Sequence, residues 1–203
     1  YSLGSQRKAE VYVNRLLAYV LDPDASHGMG PEFLRAVLDG LPAECAFDED
    51  VHDLSDVVVD DQVRVEQEGS NQEETDQGEG NQEEGEKTVS SGIVDLVIEV
   101  PNEWFLMIEL KFSAADTQTE FYYRDATHVG GTPKEAYESG QYYLYLHQHD
   151  QPTATEPCFD NWTWKAFSAD VLEPFVLDNA ARYPQRTVTQ LRELRDDLKS
   201  ISG

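Results

Sequence analysis

Two apolar runs near the middle of the chain constrain the fold most strongly. Ile93–Val100 reads IVDLVIEV, Trp104–Ser113 reads WFLMIELKFS, and only the tripeptide PNE separates them. Two such runs joined by a short break predict two antiparallel strands in a hairpin. If Val100 and Trp104 close a three-residue loop, residues whose numbers sum to 204 lie opposite each other.

The two faces of this hairpin differ in chemistry, because side chains alternate along a strand. One face is predicted to be wholly apolar and carries Val94, Leu96, Ile98, Val100, Trp104, Leu106, Ile108, Leu110 and Phe112. The other face brings Asp95, Glu109 and Lys111 together, with Asp95 opposite Glu109. Like charges placed opposite each other destabilise a sheet, so the two carboxylates require a compensating cation. Lys111 is one such cation, and a divalent metal ion is another.

A plain surface ion pair between Glu109 and Lys111 is the alternative interpretation. The apolar neighbours Val97 and Met107 on the same face argue against full exposure. The facing also depends on the loop length, because a pairing shifted by one residue exchanges the two faces.

The same residues resemble a known nuclease signature. Asp95, followed after thirteen residues by Glu109-Leu110-Lys111, is similar to the D…(D/E)-x-K motif of the PD-(D/E)XK nuclease superfamily. The N-terminal stretch EVYVNRLL from Glu10, continued by LDP, HGMG and FL, resembles the opening of one branch of that superfamily. The resemblance implies an α/β (α+β mixed sheet) fold with a restriction-endonuclease-like core, in which helices flank a central mixed sheet. One departure is Val94, which stands where the motif has proline.

The resemblance also implies roles for the motif residues. Asp95 and Glu109 would bind Mg²⁺ or Mn²⁺ together with the backbone carbonyl of Leu110. Lys111 would hold the attacking water or the phosphoryl oxygens as a point charge.

Further site residues are expected outside the hairpin. Glu10 is a candidate because nucleases of this kind often place an acidic residue on the first helix, although a solvated helix carboxylate is the alternative. Family members also place a glutamine in a helix after the ExK strand; Gln141 fits this best, and Gln118 is the second candidate. Lys134 and Arg124 are among the few positive charges in this region and are predicted to contact phosphate.

The net charge counts against a simple nucleic-acid-binding surface. Forty Asp and Glu stand against fifteen Lys and Arg, so the net charge is −25 and the isoelectric point is near 4.3. Phosphate binding rests on Lys and Arg, and the chain has no basic stripe. A halophilic archaeal host would explain the acidity, because a Debye length of about 3 Å at 1 M salt screens distant repulsion. A homodimer or a partner domain is a further expectation, and a partner domain would be another source of a basic surface.

The remaining patterns predict the flanking elements. Amphipathic helices are expected over 5–22 and 31–40, a strand over 57–66, and a helix from Pro133 to His149. A further strand is expected over 159–167. Two C-terminal helices follow, one after Ser168 that reaches Arg182 and one that starts near Thr187.

Residues 67–92 differ in composition from the rest of the chain. They are acidic and polar, with no aromatic residue and Val89 as the only aliphatic one. Such a segment cannot bury enough apolar surface to offset the entropy lost on ordering. We therefore predict a single domain over 1–203 with an acidic low-complexity loop inserted between core strands at 67–92.

The sequence favours a cytoplasmic metal-dependent nuclease that hydrolyses phosphodiester bonds, with DNA favoured over RNA, in defence, restriction or repair. Two alternatives stay open: a non-cleaving binding or scaffold module that keeps the nuclease fold, and a hydrolase of another phosphate ester. The sequence contains no run of eighteen apolar residues, so no membrane span is predicted. The two cysteines have no metal-ligand spacing and are expected to be reduced thiols.

Overall fold

A mixed β-sheet flanked by helices forms the centre of the computed structural model, which describes residues 3–48, 52–67, 91–113, 116 and 118–201. The strands in these ranges are β1 (Val58–Glu66), β2 (Ser91–Val100), β3 (Trp104–Leu110), β4 (His128–Val129), β5 (Thr132–Pro133), β6 (Gly140–His147) and β7 (Asp160–Thr163). Their spatial order is β5-β4-β1-β2-β3-β6-β7. The β3–β6 and β6–β7 pairs are parallel, and the other neighbours are antiparallel. The predicted α/β class with a mixed sheet is confirmed.

Helices cover the sheet and include two that the sequence predicts near its N-terminus. The α-helices are α1 (Leu3–Leu21), α2 (Glu32–Asp39), α3 (Trp164–Phe167), α4 (Glu173–Asn179) and α5 (Gln185–Ile201). Short 3₁₀ turns cover Ala43–Cys45 and Lys134–Ala136, and π-helical turns cover Phe121–Asp125 and Ser168–Leu172. Within the described ranges, no helix has the length and apolarity needed to cross a membrane.

The central hairpin has the predicted register. Leu96 pairs with Ile108, Val97 with Met107 and Val100 with Trp104, each pair summing to 204. All of β3 is buried, as expected for a strand that has helices or loops on both faces. The recorded pairing ends at Leu96 and Ile108, so Asp95 and Glu109 lie just beyond the ladder.

Two apolar clusters pack on opposite sides of the sheet. One residue predicted to lie on the side of the first cluster packs in the second. The first cluster joins α1, α2, α4 and α5 to one side of the sheet and includes Leu96, Ile98, Trp104, Leu106 and Ile108. The second cluster lies on the other side and includes Val65, Val97, Phe105, Met107 and Tyr145. Val94, predicted to share the face of Leu96, packs in the second cluster instead. The prediction is wrong here because β2 loses its regular alternation at Asp95.

The helix predicted from Pro133 to His149 is wrong. After the 3₁₀ turn Lys134–Ala136, the chain forms β6, whose residues pair in parallel with β3 from Trp104 to Leu110. The run QYYLYL is short and apolar, and such runs do not distinguish a helix from a buried strand by periodicity. Its aromatic content favours a strand that packs between two neighbours.

The strand predicted over 159–167 ends early, at Thr163. The Thr163 hydroxyl accepts a hydrogen bond from the backbone N–H of Ala166 at 3.1 Å, which caps α3. The helical run predicted to reach Arg182 ends at Asn179.

The acidic segment joins two adjacent antiparallel strands. Residues 68–90 of the loop predicted at 67–92 lie outside the described residues. Ser91 and Gly92, counted in that loop, are the first residues of β2 and pair with Glu66 and Val65.

Candidate active site

A pocket of about 330 Å³ opens where the middle of α1 faces the ends of β2 and β3. Its lining residues are Glu10, Val11, Asn14, Gln62, Ile93, Asp95, Glu109, Leu110, Lys111, Phe112 and Gln118. The fold therefore brings the D…ExK residues and Glu10 to one place, although α1 and the hairpin are far apart in sequence.

Asp95 is held by groups from two different strands. Its Oδ2 accepts a hydrogen bond from the backbone N–H of Leu110 at 2.9 Å, and its Oδ1 accepts one from Nε2 of Gln62 at 3.2 Å. Burial raises the pKa of Asp95, and this outweighs the lowering by the Leu110 hydrogen bond, the Lys111 charge and the Gln62 hydrogen bond. The carboxylate is thus oriented but incompletely compensated.

Glu109 is buried at the end of β3, with 3% of its surface exposed. Its Oε1 accepts a hydrogen bond from Nζ of Lys111 at 2.6 Å, while its Oε2 is buried and has no partner among the described residues. Burial and the neighbouring charge of Asp95 raise the pKa of Glu109 to about 7, although Lys111 acts in the opposite direction. A buried carboxylate oxygen without a partner is costly, and a bound cation would remove that cost.

Lys111 is fixed by its backbone as well as by its charge. Its N–H donates to the carbonyl oxygen of Leu146 at 2.8 Å, and its carbonyl accepts from Nε1 of Trp164 at 2.9 Å. Burial acts to lower the pKa of Lys111, but the charges of Glu109 and its acidic neighbours raise it overall. The ammonium group therefore stays charged at neutral pH beside Glu109.

The first helix contributes two polar side chains one turn apart. Glu10 lines the pocket, and its Oε1 accepts a long hydrogen bond of 3.4 Å from Oγ of Ser113. Asn14 is 6% exposed, and its Oδ1 has no partner among the described residues. Asn14 is not among the site residues expected from the sequence, although its position four residues after Glu10 places both side chains on one helix face.

Of the two glutamines expected at the site, Gln118, the second candidate, lines the pocket, and Gln141 does not. Gln141 lies in β6 and not in a helix; its Nε2 donates to the carbonyl oxygen of Lys134 at 2.7 Å, and it is not a lining residue. Gln118 directly precedes the helical segment 119–125. The structure thus brings Gln118, and not Gln141, to the D…ExK residues.

Tyr122 orients the amide of Gln118. The buried Tyr122 hydroxyl contacts the carbonyl oxygen of Ile93 at 2.7 Å and also the side-chain amide of Gln118. Both contacts are to oxygen atoms that only accept, the carbonyl oxygen of Ile93 and Oε1 of Gln118, so the single hydroxyl proton is shared between them. The contact turns the side-chain oxygen of Gln118 towards Tyr122. Gly92 permits this arrangement, because a Cβ there would lie 2.6 Å from the Tyr122 ring.

Asp116 anchors the loop that carries Gln118. Its Oδ1 accepts from the backbone N–H groups of Gln118 and Thr119 at 3.0 and 3.1 Å. Its Oδ2 accepts from the hydroxyl of Thr119 and from N–H and Oγ1 of Thr155 at 2.8 and 2.9 Å. Burial acts against the charge, but these hydrogen bonds together lower the pKa of Asp116 to about 2. A helix N-cap pattern, Asp116 with Thr119 three residues later, is the sequence signal that could have found it.

We expect Asp116→Asn to destabilise the protein by about 2 kcal/mol at pH 7, since one pKa unit corresponds to about 1.4 kcal/mol. The folded-state pKa lies below the unfolded value of 3.8, so this stabilisation is present above about pH 4 and is lost as the pH falls towards 2. Urea unfolding of both proteins at pH 7 and pH 3 measures it. A difference that does not shrink at pH 3 would contradict the assignment to charge.

Lys134 and Arg124 do not line the pocket. Nζ of the buried Lys134 donates to the carbonyl oxygens of Tyr122 and, at 3.2 Å, of Tyr123, so it caps the end of the segment 119–125. Burial lowers the pKa of Lys134 to about 8. Arg124 is paired with Glu156 at 2.6 Å and with Glu120 at 3.4 Å. Both cations therefore have structural partners, which the sequence pattern could not reveal.

The donor set of the pocket fits a hard divalent cation. Asp95 and Glu109 supply carboxylate oxygens, and Oε2 of Glu109 is an acceptor without a partner among the described residues. Within those residues, no group of three or more His, Cys, Asp or Glu side chains forms a complete metal site. Mg²⁺ is commonly held by one or two carboxylates while it keeps several waters, so two carboxylates and a backbone carbonyl suffice.

Comparison with protein families agrees with this geometry. The sequence model described as the PD-(D/E)XK nuclease superfamily matches residues 1–196. Neither a curated protein nor a solved structure matches the chain. The match covers α1, the hairpin and Gln118 together, and the mixed sheet with flanking helices is consistent with a restriction-endonuclease-like α/β fold. The chain belongs to the PD-(D/E)XK nuclease superfamily.

Proposed function

We propose that the chain is a Mg²⁺- or Mn²⁺-dependent nuclease that hydrolyses phosphodiester bonds in DNA, in a defence, restriction or repair role. The observation that carries the proposal is the buried Glu109 at the pocket. One of its oxygens is paired with Lys111 at 2.6 Å, and the other has no partner among the described residues. A carboxylate held in this way, beside Asp95, is suited to a metal ion and unsuited to a purely structural role.

The residues of the pocket divide the work of hydrolysis. A divalent cation, when bound, supplies positive charge to the phosphoryl oxygens and lowers the pKa of a bound water. Asp95 and Glu109 would hold that cation together with the backbone carbonyl of Leu110. Lys111 places a second positive charge where an oxygen of the phosphate gains negative charge. Glu10 and Gln118 both line the pocket, where their side chains are placed to hydrogen-bond with water.

Cleavage assays test the proposal. Supercoiled plasmid, linear duplex, single-stranded DNA and RNA are incubated with Mg²⁺ or Mn²⁺ in low and high KCl. We expect cleavage of DNA that stops with EDTA and is lost in Asp95→Ala. Cleavage of RNA but not of DNA would contradict the proposed DNA substrate and identify RNA as the substrate instead. Cleavage that Asp95→Ala retains would refute the site.

A non-cleaving binding module with the same fold is the second candidate, and the charge of the chain favours it. The net charge is −25, and the two cations expected to contact phosphate are paired or buried. This candidate predicts that Mn²⁺ binds at Asp95 and Glu109 while no nucleic acid is cut at any salt concentration.

The two glutamines give a specific prediction. We expect Gln118→Ala to reduce cleavage by about 10-fold or more, because residues that orient groups around a metal typically contribute that much. Gln141→Ala should leave the rate within a factor of about two, since Gln141 bonds only outside the pocket. Initial rates under saturating Mg²⁺ measure both. A larger loss in Gln141→Ala than in Gln118→Ala would reverse the assignment.

A further inference from the structure

Gln62 has a backbone conformation that is unusual inside a strand. Its φ is +53°, in the left-handed region, where residues other than glycine are uncommon. The other positive-φ residues besides glycine in the described ranges are Ala46, which follows a 3₁₀ turn, and Asn102, in the β2–β3 turn. Turns and helix ends accommodate this conformation, whereas Gln62 lies between the paired residues Asp61 and Val63.

The left-handed residue coincides with a local change in the sheet. On both sides of it, β1 and β2 keep one register, with Asp61 opposite Leu96 and Val63 opposite Val94. Gln62 and Asp95, which would be the next pair, do not pair through their backbones. Both strands change face at this position: Leu96 packs in the first cluster, and Val63 and Val94 pack in the second.

Packing of the Gln62 side chain does not explain the strain. The residue is exposed, and its recorded hydrogen bond runs from Nε2 to Oδ1 of Asp95 at 3.2 Å. The second oxygen of Asp95 is held by the backbone N–H of Leu110 at 2.9 Å. The side chain of Gln62 in β1 and the backbone N–H of Leu110 in β3 thus each donate a hydrogen bond to the Asp95 carboxylate, from the two strands on either side of β2. Residues held in sparsely populated backbone regions cluster at functional sites, where the strain is part of the arrangement.

We propose that Gln62 is a positioning residue for Asp95: its amide holds the carboxylate in the orientation that binds the metal ion. The left-handed backbone of Gln62 points the amide at Asp95 instead of along the regular alternation of β1. The inference rests on the proposed metal-dependent function, and it assigns to β1 a part in a site otherwise built from α1, β2, β3 and Gln118.

A glycine at this position separates positioning from stability. Glycine adopts positive φ without steric cost, so Gln62→Gly relieves the strain while it removes the amide. Gln62→Asn also tolerates positive φ, but its amide is one methylene shorter and does not reach Asp95. Asn102→Gly is the matched control, because Asn102 has φ +64° and lies in the exposed turn.

The experiment measures Mn²⁺ affinity, thermal midpoint and cleavage rate for the parent and these three variants in high KCl. We expect Gln62→Gly and Gln62→Asn to bind Mn²⁺ about 10-fold more weakly or worse, as is typical when a partner of a ligand is lost. Their thermal midpoints should stay within about 2–4 °C of the parent value, which shows that they fold. Asn102→Gly should keep the parent affinity and rate.

Parent-like Mn²⁺ affinity and cleavage in both Gln62 variants would overturn the positioning role and leave the proposed nuclease intact. A parent protein that neither binds Mn²⁺ nor cuts would instead overturn the proposed function, and the inference with it. Equal losses in Asn102→Gly would show that the effect is general and would also refute the role.

Discussion

Lys111→Ala should lower the rate of DNA cleavage by about 10²–10³-fold, the range typical for loss of one group that stabilises transition-state charge. Nζ of Lys111 lies 2.6 Å from Glu109, and the backbone of Lys111 is fixed by Leu146 and Trp164. The side chain of Lys111 therefore places its charge at a defined point, and alanine leaves that point without a charge. The loss should appear in kcat, because the charge acts as negative charge develops on the phosphate.

The control for this variant is Lys199, a second lysine that pairs with a glutamate but on the exposed surface. Nζ of Lys199 lies 3.1 Å from Glu173 on the helical surface, outside the pocket. Lys199→Ala should leave the rate unchanged. If both variants lost activity equally, general charge rather than the pocket would be responsible.

Glu109→Gln should abolish metal-dependent cleavage. It should also make the folded protein more stable relative to the parent as the pH rises. In the metal-free protein, burial and Asp95 raise the pKa of Glu109 to about 7 from an ordinary 4.5. A carboxyl whose folded-state pKa is raised binds more protons in the folded state between these values. The free energy of unfolding therefore falls as the pH rises from about 4.5 to 7.

The size of that fall is on the order of 3 kcal/mol, from about 1.4 kcal/mol per pKa unit. Glutamine has no such titration, so the stability of the variant relative to the parent should increase across this pH range. Urea unfolding in EDTA at several pH values measures the difference. Glu173→Gln, at an exposed carboxylate, should follow the parent. A variant whose curve runs parallel to the parent curve would contradict the raised pKa.

The hairpin could be predicted from the sequence because its signals are local. An apolar alternation and a three-residue break determine the register from Leu96 to Val100. Extending that register by one residue predicts Asp95 beside Glu109 and Lys111; in the structure the ladder ends at Leu96 and Ile108, and Asp95 accepts a hydrogen bond from the backbone N–H of Leu110. Glu10 needed the family resemblance, because its approach to the hairpin is a tertiary contact.

Other features depended on tertiary contacts that leave little trace in the sequence. The run QYYLYL in β6 became a strand because a parallel partner, β3, was available for its backbone. That exchange of helix for strand removed Gln141 from the site and left Gln118, whose amide is oriented by Tyr122. The positive φ of Gln62 has no local signal such as glycine or a turn motif. Among these features, Asp116 is the one with a local sequence signal, because an aspartate in this position is typical of a helix N-cap.

The central claim is that Asp95 and Glu109 form the metal site of a nuclease. A measurement of the stoichiometry of Mn²⁺ binding tests this claim most directly. The titration compares the parent, the Asp95→Asn Glu109→Gln double variant and Asp53→Asn, an exposed control carboxylate, in high KCl. High salt suppresses diffuse binding of the ion to the acidic surface. We predict one tight Mn²⁺ per chain in the parent and in Asp53→Asn, and none in the double variant. Tight binding that survives in the double variant would contradict the account.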